Sequence, residues 1–412
     1  MIIIPFLTSS PGAKESGRKV TCLYGSGTGF SGQRFASELL IAGLGQRGWQ
    51  VGIIKTPLLD RVEGHSRGRR FLEKLGLGLR LLAAWLKGVW VALGPAILYV
   101  NLGQTRFALI RDGLPLLVRR IFSRDRRAVI SLHGNLFMAW HQRSLEARLL
   151  CQMARPARYI TVLGPSQKER LIKFGIPAEK VVQMDNTCLI PPITEQECID
   201  KQAILAHQAA NILFLNSLTE TKGYPEFVEA IGELASTVSF PIEATGCGTI
   251  TLMETDSRFP THAAARDWLE EQVTLVNRSP QVRLRWVNGA AGAAKEKLFR
   301  GAHIFVLPSR YRVEAQPIAI LEALASGCAV IATCVGEIPT TVNDRTALLL
   351  GEATPGAIAT AILELLRNPD KRRDLALNGL KLFKERFAYE KHLDHWEQLL
   401  LAAVAERKSP CR

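Results

Sequence analysis

The residue types best suited to chemistry cluster between positions 306 and 350. Two carboxylates, Glu314 and Glu322, lie eight positions apart, the first before a predicted helix and the second inside its apolar run 318–325. A carboxylate buried in such a run needs hydrogen-bond donors, and sugar or ribose hydroxyl groups can supply them. The alternative is a carboxylate satisfied near the N-terminus of its own helix. The pattern alone leaves both interpretations open.

The start of that helix is a second chemical feature. Pro317 is of the type favoured at the first helical position. A helix N-terminus offers free backbone N–H groups and the positive end of a dipole to a phosphate group. Because Pro317 has no N–H group of its own, its neighbours are expected to donate.

A glycine-rich turn follows the first predicted strand and spells G-S-G-T-G-F-S-G over 25–32. Gly27, Gly29 and Gly32 have the G-x-G-x-x-G spacing of dinucleotide-binding loops, in which glycine lets the backbone approach closely. That motif also requires an acidic residue about twenty positions later. The next strand instead ends near Lys55, so NAD is not expected and no cofactor is predicted.

Composition restricts the class of protein. The 412 residues are 47% hydrophobic and 22% charged, which is typical of a globular chain with two or three domains. The net charge of +14 favours phosphate-bearing partners, but no zinc-finger spacing or RNA-binding signature supports nucleic acid. The eight cysteines form no C-x-x-C pair, which fits a reducing cytoplasm and no structural zinc. No D-x-D, H-E-x-x-H or Walker A sequence occurs, so a metal site and an NTPase are not expected.

Alternating strands and helices must position these residues. In the first half, strands are predicted at 20–24, 50–54, 96–101, 128–132 and 159–163. In the second half, they are predicted at 211–215, 242–245, 282–286, 304–307 and 329–333. Apolar strands separated by helices predict parallel sheets covered on both faces, and ligands in such sheets bind beyond the carboxyl ends of the strands.

We therefore predict an α/β protein with two doubly wound, Rossmann-like domains that face a central cleft. The segment 184–197 lacks periodicity and contains two prolines, as expected of an interdomain linker. The first domain is predicted over 1–190, completed by a C-terminal helix at 389–406, and the second over 191–388.

The segment 67–98 has two interpretations. Residues 75–98 are apolar enough to raise the question of a membrane span, but Arg80 and Lys87 lie inside them and Pro95 interrupts them. A spanning helix would bury both charges at large cost. An amphipathic helix on an anionic membrane surface and a surface helix packed on a sheet both fit.

The segment around the two glutamates resembles a known enzyme family. The residues that carry the resemblance are Pro308, Ser309, Glu314, Glu322, Ala323, Gly327, the run 330–333 and Gly336. They resemble the retaining glycosyltransferases of family four, most strongly over 211–350. Gln316 and Pro317, after the first glutamate, are similar to bacterial surface-polysaccharide members rather than to the commoner Glu-Gly-Phe-Gly form, and the resemblance places both at the donor.

The resemblance implies a glycosyltransferase type B fold and a role for each motif residue. Glu322 would hold the ribose hydroxyls of the donor, and Glu314 would contact the donor sugar near the transferring group. Lys222 with Gly223 would bind the diphosphate, whose negative charge must be stabilised as it leaves. Gly289 resembles the turn that contacts the nucleotide base.

The first half contributes further residues through the same resemblance. His133, directly after a predicted strand, resembles the active-site histidine of the N-terminal domain; the alternative is a capping or core histidine. The loop with Gly29 and Gly32 would lie across the cleft from the donor diphosphate, where glycine permits close approach.

The function that this resemblance implies is sugar transfer from a nucleoside-diphosphate sugar to a glycan or lipid-linked acceptor, in bacterial polysaccharide synthesis. It implies retention of the anomeric configuration, and the missing acidic pair agrees with a metal-independent enzyme. The protein is expected in the cytoplasm, on the inner face of the cell membrane. The alternatives are a nucleotide-sugar epimerase on the same fold and a catalytically silent scaffold of an assembly complex.

Overall fold

The protein is described by a computed structural model that covers residues 18–26, 32–57, 67–122, 127–203, 209–253 and 256–405. At 26, at 67–75 and at 405 the description is limited to the backbone. These residues form two compact units. The N-terminal unit contains the described residues up to Asn186 and those from Glu390 onward, and the C-terminal unit runs from Thr187 to Tyr389.

The N-terminal unit is built on a six-stranded parallel sheet with the order β2-β1-β3-β4-β5-β6. Its strands are β1 Lys19–Ser26, β2 Gln50–Pro57, β3 Ile97–Asn101, β4 Ala128–Ser131, β5 Tyr159–Val162 and β6 Val181–Gln183. Its first helices are α1 Gly32–Gln46, α2 Arg67–Leu93, α3 Arg106–Phe122, α4 Leu145–Ala154 and α5 Pro165–Lys173. Every residue of β3 and β4 is buried, as expected when helices cover both faces of a parallel sheet.

The C-terminal unit is built on a second six-stranded parallel sheet with the order β12-β11-β10-β7-β8-β9. Its strands are β7 Ala210–Leu215, β8 Ile242–Cys247, β9 Val282–Val287, β10 Ile304–Leu307, β11 Ala329–Thr333 and β12 Leu348–Leu350. Its helices are α6 Glu195–Ala203, α7 Tyr224–Ala235, α8 His262–Val276, α9 Gly292–Gly301, α10 Ile318–Ala325, α11 Ile338–Thr341, α12 Pro355–Arg367 and α13 Pro369–Leu382.

Both sheets are doubly wound, so the predicted fold class of two Rossmann-like units is confirmed. The strand order reverses between β1 and β3 in the first sheet and between β7 and β10 in the second. Ligands of open α/β sheets bind outside the carboxyl ends of the strands at such a reversal. In the C-terminal unit, the loops at this position are residues 216–222 after β7 and residues 308–317 after β10.

The last helix, α14 Tyr389–Ala405, packs on the N-terminal unit. Its Trp396 is fully buried and meets the ring of Tyr99 in β3 edge to face, with 5.4 Å between ring centres. Arg47, just after α1, forms an ion pair of 2.6 Å with Asp394. The helix therefore supplies part of the core of a unit whose strands are all far earlier in the chain.

Helices α2 and α3 are fixed against each other in the N-terminal unit. A Cβ atom at Gly88 of α2 would lie 2.7 Å from the ring of Pro115 in α3, so the two helices touch at this glycine. Arg119 of α3 is fully buried, and its guanidinium donates to the carbonyl groups of Ala92 and Gly94 at the end of α2. A cation in this place satisfies carbonyls that the helix leaves unpaired and stabilises the negative end of its dipole.

Candidate functional site

The loops after β7 and β10 bring Lys222 and Glu314 into direct contact. Nζ of Lys222 lies 2.5 Å from Oε2 of Glu314, and the hydroxyl of Ser309 donates to the same oxygen at 2.9 Å. The ammonium group also lies 5.1 Å from the ring centre of Tyr311, within the range of a cation–π interaction. The side chain of Glu314 is 8% exposed and that of Lys222 is 18% exposed. The pair is thus largely desolvated but still open to a ligand.

Two glycines allow these loops to approach so closely. Gly223 has a φ of +79°, and a Cβ there would lie 2.1 Å from the carbonyl oxygen of Pro308. Gly336 has a φ of +55°, and a Cβ there would lie 1.9 Å from the carbonyl oxygen of Glu314. Any other residue would be strained at both positions and would collide with backbone. The backbone conformation next to both Lys222 and Glu314 therefore requires glycine.

The carboxylate of Glu220 anchors the turn that carries Lys222. It accepts hydrogen bonds from the backbone N–H groups of Ser257 at 3.0 Å, Arg258 at 2.7 Å and Phe259 at 3.0 Å. Three such donors satisfy a buried charge and tie the turn to a distant loop. Sequence analysis missed this residue; its place two positions before Lys222 is the signal that could have indicated it.

A second ion pair joins α9 to α10. Nζ of Lys295 lies 2.7 Å from Oε1 of Glu322, whose side chain is 4% exposed. Oε2 of Glu322 is buried without a hydrogen-bond partner among the described residues. Burial raises the pKa of Glu322, and the charge of Lys295 opposes that rise. Buried polar atoms rarely lack a partner, so the second oxygen of Glu322 is suited to accept from a ligand hydroxyl. The alternative, a carboxylate satisfied within its own helix, fits this arrangement less well.

The start of α10 differs by one residue from the prediction. The helix begins at Ile318, and Pro317 is its N-cap with an extended ψ of 118°, so Pro317 is not the first helical residue. Gln316 is buried beside it. Gly289, in the turn after β9, has a φ of +78°, and a Cβ there would meet only the hydroxyl of Thr249 at 3.4 Å. The donor-binding roles of these three residues stay predictions.

His133, Gly29 and Gly32 belong to the N-terminal half. His133 follows β4, and both of its ring nitrogens are buried. Burial lowers the pKa of His133 to about 4, and the nearby side chain of Asn186 only partly opposes that shift, so the imidazole is neutral at physiological pH. Gly32 is the exposed first residue of α1, and Gly29 lies outside the described residues. These assignments also stay predictions.

Comparison with known proteins identifies the C-terminal unit. Residues 195–382 match the family model described as glycosyl transferases group 1. The C-terminal unit is therefore similar to the group 1 glycosyl transferases. The chain is 29% identical over 189 residues to α-maltose-1-phosphate synthase of Mycolicibacterium smegmatis. That match covers 43% of this chain and 44% of the relative, so the chain spans less than half the length of this relative.

Several solved structures have a similar fold over more than nine-tenths of the chain. HepE from Anabaena in complex with UDP has a TM-score of 0.66 at 17% identity, over 93% of this chain and 100% of that chain. The same protein in complex with UDP-glucose has a TM-score of 0.64 at 18% identity, over 93% and 99%. Sucrose-phosphate synthase from Thermosynechococcus elongatus has a TM-score of 0.63 at 19% identity, over 94% and 99%. At such identity the likeness concerns the fold alone.

The predicted resemblance to glycosyltransferases is therefore confirmed at the level of group 1. Lys222, Glu314, Glu322 and Lys295 all lie inside the matched glycosyl transferase domain. The assignment to the retaining enzymes of family four stays a prediction.

Proposed function

We propose that the protein transfers a sugar from a nucleoside-diphosphate sugar to a hydroxyl group of a glycan or lipid-linked acceptor. The observation that carries the proposal is the contact of Lys222 with Glu314 at the point where the strand order of a glycosyl transferase domain reverses. A cation there suits a diphosphate, and the unpaired oxygen of Glu322 suits a ribose hydroxyl. The UDP and UDP-glucose bound to HepE make uridine nucleotides the first donors to test.

Lys222 would stabilise the leaving diphosphate while it remains bound to Glu314. An ammonium group has three donors, so one can contact Oε2 of Glu314 while another meets a phosphate oxygen. As the bond from the anomeric carbon to the phosphate oxygen breaks, negative charge grows on the diphosphate and the contact strengthens. Lys222 thus acts on the transition state more than on the bound donor.

Retention is proposed to proceed without a covalent enzyme intermediate. One oxygen of Glu314 already carries Lys222 and Ser309, and a carboxylate bonded in this way is a poor nucleophile. The acceptor oxygen would instead attack the anomeric carbon on the face that the phosphate leaves. The leaving phosphate would take the proton of the acceptor hydroxyl.

The donor is tested first by thermal stabilisation with UDP, UDP-glucose, GDP-mannose and ADP-glucose, since a ligand of the folded state raises apparent stability. We expect one nucleotide sugar to stabilise the protein and Lys222→Ala to reduce that effect. Mass spectrometry of incubations with and without a glycan acceptor then identifies the product. Isomerised nucleotide sugar without acceptor would favour an epimerase, and donor binding without turnover would favour a silent scaffold.

The transfer is also proposed to be independent of metal ions. The chain has no D-x-D sequence, and Lys222 supplies positive charge where the diphosphate would leave. No group of three or more His, Cys, Asp or Glu side chains is placed to hold a metal ion in the described part of the chain. We expect full activity after treatment with EDTA; complete loss of activity, restored by magnesium or manganese, would contradict this.

A further inference from the structure

Helix α2 carries its large apolar side chains on the side that faces solvent. Trp90 is 80% exposed, and four leucines are 51 to 64% exposed, namely Leu79, Leu82, Leu86 and Leu93. Intervals of three or four residues place these five side chains along one stripe of the helix. The buried side of the helix instead presents the small residues Ala84, Gly88 and Ala92.

This arrangement is the reverse of that in a typical surface helix, which buries its large apolar side chains and exposes its polar ones. Burying a leucine or a tryptophan stabilises a fold far more than burying an alanine or a glycine. A surface helix of a soluble protein therefore turns its large apolar residues inward. We therefore expect the exposed apolar stripe of α2 to be buried by a binding partner.

Helix α3 adds a second exposed apolar stripe that the sequence analysis did not single out. Its exposed apolar side chains are Phe107, Ile110, Ile121 and Phe122. Phe107, Ile110 and Ile121 are three and eleven positions apart, close to whole numbers of helical turns, so they lie on one side of the helix. Because α3 touches α2 at Gly88 and Pro115, both stripes belong to one rigid part of the N-terminal unit. We call these nine exposed side chains the α2–α3 apolar face.

The charges around this face are of one sign. Among the described side chains of the two helices, the exposed charged residues are Arg80, Lys87, Arg106 and Arg120. Arg106 is paired with Glu146 of α4, whereas Asp112, an acid within α3, is buried and bound by Arg111. An apolar stripe bordered by cations complements a surface that is apolar inside and anionic outside.

We propose that the α2–α3 apolar face docks on the surface of an anionic lipid bilayer. Trp90 and the leucines would enter the boundary between headgroups and acyl chains, while Arg80 and Lys87 would meet lipid phosphates. This proposal concerns the N-terminal unit alone and does not depend on the proposed sugar transfer.

The docking is peripheral rather than spanning. Residues 76–93 of α2 are long and apolar enough to cross a membrane by length and composition. However, Ala84, Gly88 and Ala92 pack into the unit, and the indole N–H of Trp85 donates to the carbonyl of Arg111 at 2.8 Å. Insertion across the bilayer would break all of these contacts, whereas lying on the surface keeps them.

The test is co-sedimentation of the full chain with phosphatidylcholine vesicles, with and without phosphatidylglycerol, over a salt series. We expect binding to the anionic vesicles. The double variant Leu86→Gln with Trp90→Gln should bind roughly tenfold or more weakly at every salt concentration. Lys87→Gln should bind about fivefold more weakly at low salt, with the difference fading as salt rises. The matched control is Leu275→Gln, which replaces an exposed leucine of α8 and should bind as the wild type does.

Several outcomes would overturn the proposal. They are no binding of the wild type to anionic vesicles, equal binding by the double variant, and release from membranes by detergent only. A dimer in vesicle-free solution that the double variant abolishes would assign the face to a second copy instead. Thermal melts identify any loss of folding; if the double variant melts early, Leu79→Gln alone, at a residue 60% exposed, decides the test.

Discussion

The ammonium nitrogen of Lys222 lies 2.5 Å from a carboxylate oxygen of Glu314, although the two residues are 92 positions apart in the chain. They meet because β7 and β10 are hydrogen-bonded neighbours and each residue lies in the loop that follows its strand. β7 begins one half of the doubly wound sheet, and β10 begins the other. Any ligand that binds one of these side chains therefore acts directly on the other.

Replacing Lys222 by alanine should weaken donor binding and lower turnover on the order of 100-fold, because one charged donor is lost where negative charge develops. Lys222→Arg keeps the charge and should restore part of the rate. The measurement is kcat and KM for the donor, with Lys371→Ala as control because its ion pair with Glu364 is exposed. Kinetics unchanged in Lys222→Ala would remove this residue from the site.

Glu322→Gln should raise the donor KM by about tenfold and leave the acceptor KM unchanged. An amide accepts hydrogen bonds on one atom only, so the side chain can no longer accept from both Lys295 and a ribose hydroxyl, and a hydrogen bond to a charged group is lost. Steady-state kinetics with each substrate varied in turn would test this. A raised acceptor KM with an unchanged donor KM would show that Glu322 binds the acceptor instead.

Gly336→Ala should disturb the site far more than Gly292→Ala, although both glycines have a φ of +55°. Both substitutions carry a conformational cost of about 1–2 kcal/mol. Only at Gly336 does the added Cβ also meet the carbonyl oxygen of Glu314, whereas nothing lies within 4 Å at Gly292. Thermal melts and turnover are measured for both variants. The difference between the two variants gives the effect of the collision with Glu314 alone. Equal effects in both variants would mean that the contact with Glu314 is unimportant.

The N-terminal unit should lose stability as the pH falls from about 6.5 toward about 4. Burial lowers the pKa of both His133 and His392 to about 4, from 6.5 in the unfolded chain. In this window the unfolded state binds protons that the folded state does not, so the free energy of unfolding decreases by up to about 3 kcal/mol for each histidine. Above about 6.5 their full contribution is present.

Urea unfolding across this pH window is the measurement. His392→Gln retains a donor for the carbonyl of Asp185, which Nδ1 of His392 contacts at 2.8 Å, and should reduce the pH dependence. His141→Gln replaces an exposed histidine and serves as the control. Carboxylates titrate in all of these proteins and cancel in the comparison. An unchanged slope in His392→Gln would contradict the prediction.

The fold could be predicted because buried parallel strands are continuous apolar runs. The predicted strands at 304–307 and 329–333 coincide with β10 and β11. The three-residue strands Val181–Gln183 and Leu348–Leu350 were missed, since so short a run has no recognisable periodicity. Their pairing is determined by the neighbouring strands rather than by their own residues.

The candidate site could be predicted only as far as its motifs extend. Lys222, Glu314 and Glu322 were predicted as candidates from motifs that resemble those of a known family. The partnership of Lys295 with Glu322 and the anchoring of Glu220 were not, because each depends on which loops meet in space. Glu220 binds backbone groups 37 to 39 positions away, and no spacing rule specifies such a contact.

Because α14 belongs to the N-terminal unit, the two units complete their folding in a different order from that in which they are synthesised. The described residues of the C-terminal unit all lie between Thr187 and Tyr389, so they can close their core as soon as that stretch has left the ribosome. The N-terminal unit is translated first, yet Tyr99 has no Trp396 to pack against until α14 has emerged. Throughout that interval its apolar surface is open to misassembly and to chaperones. The half of the protein that is made first is therefore the half that completes its folding last.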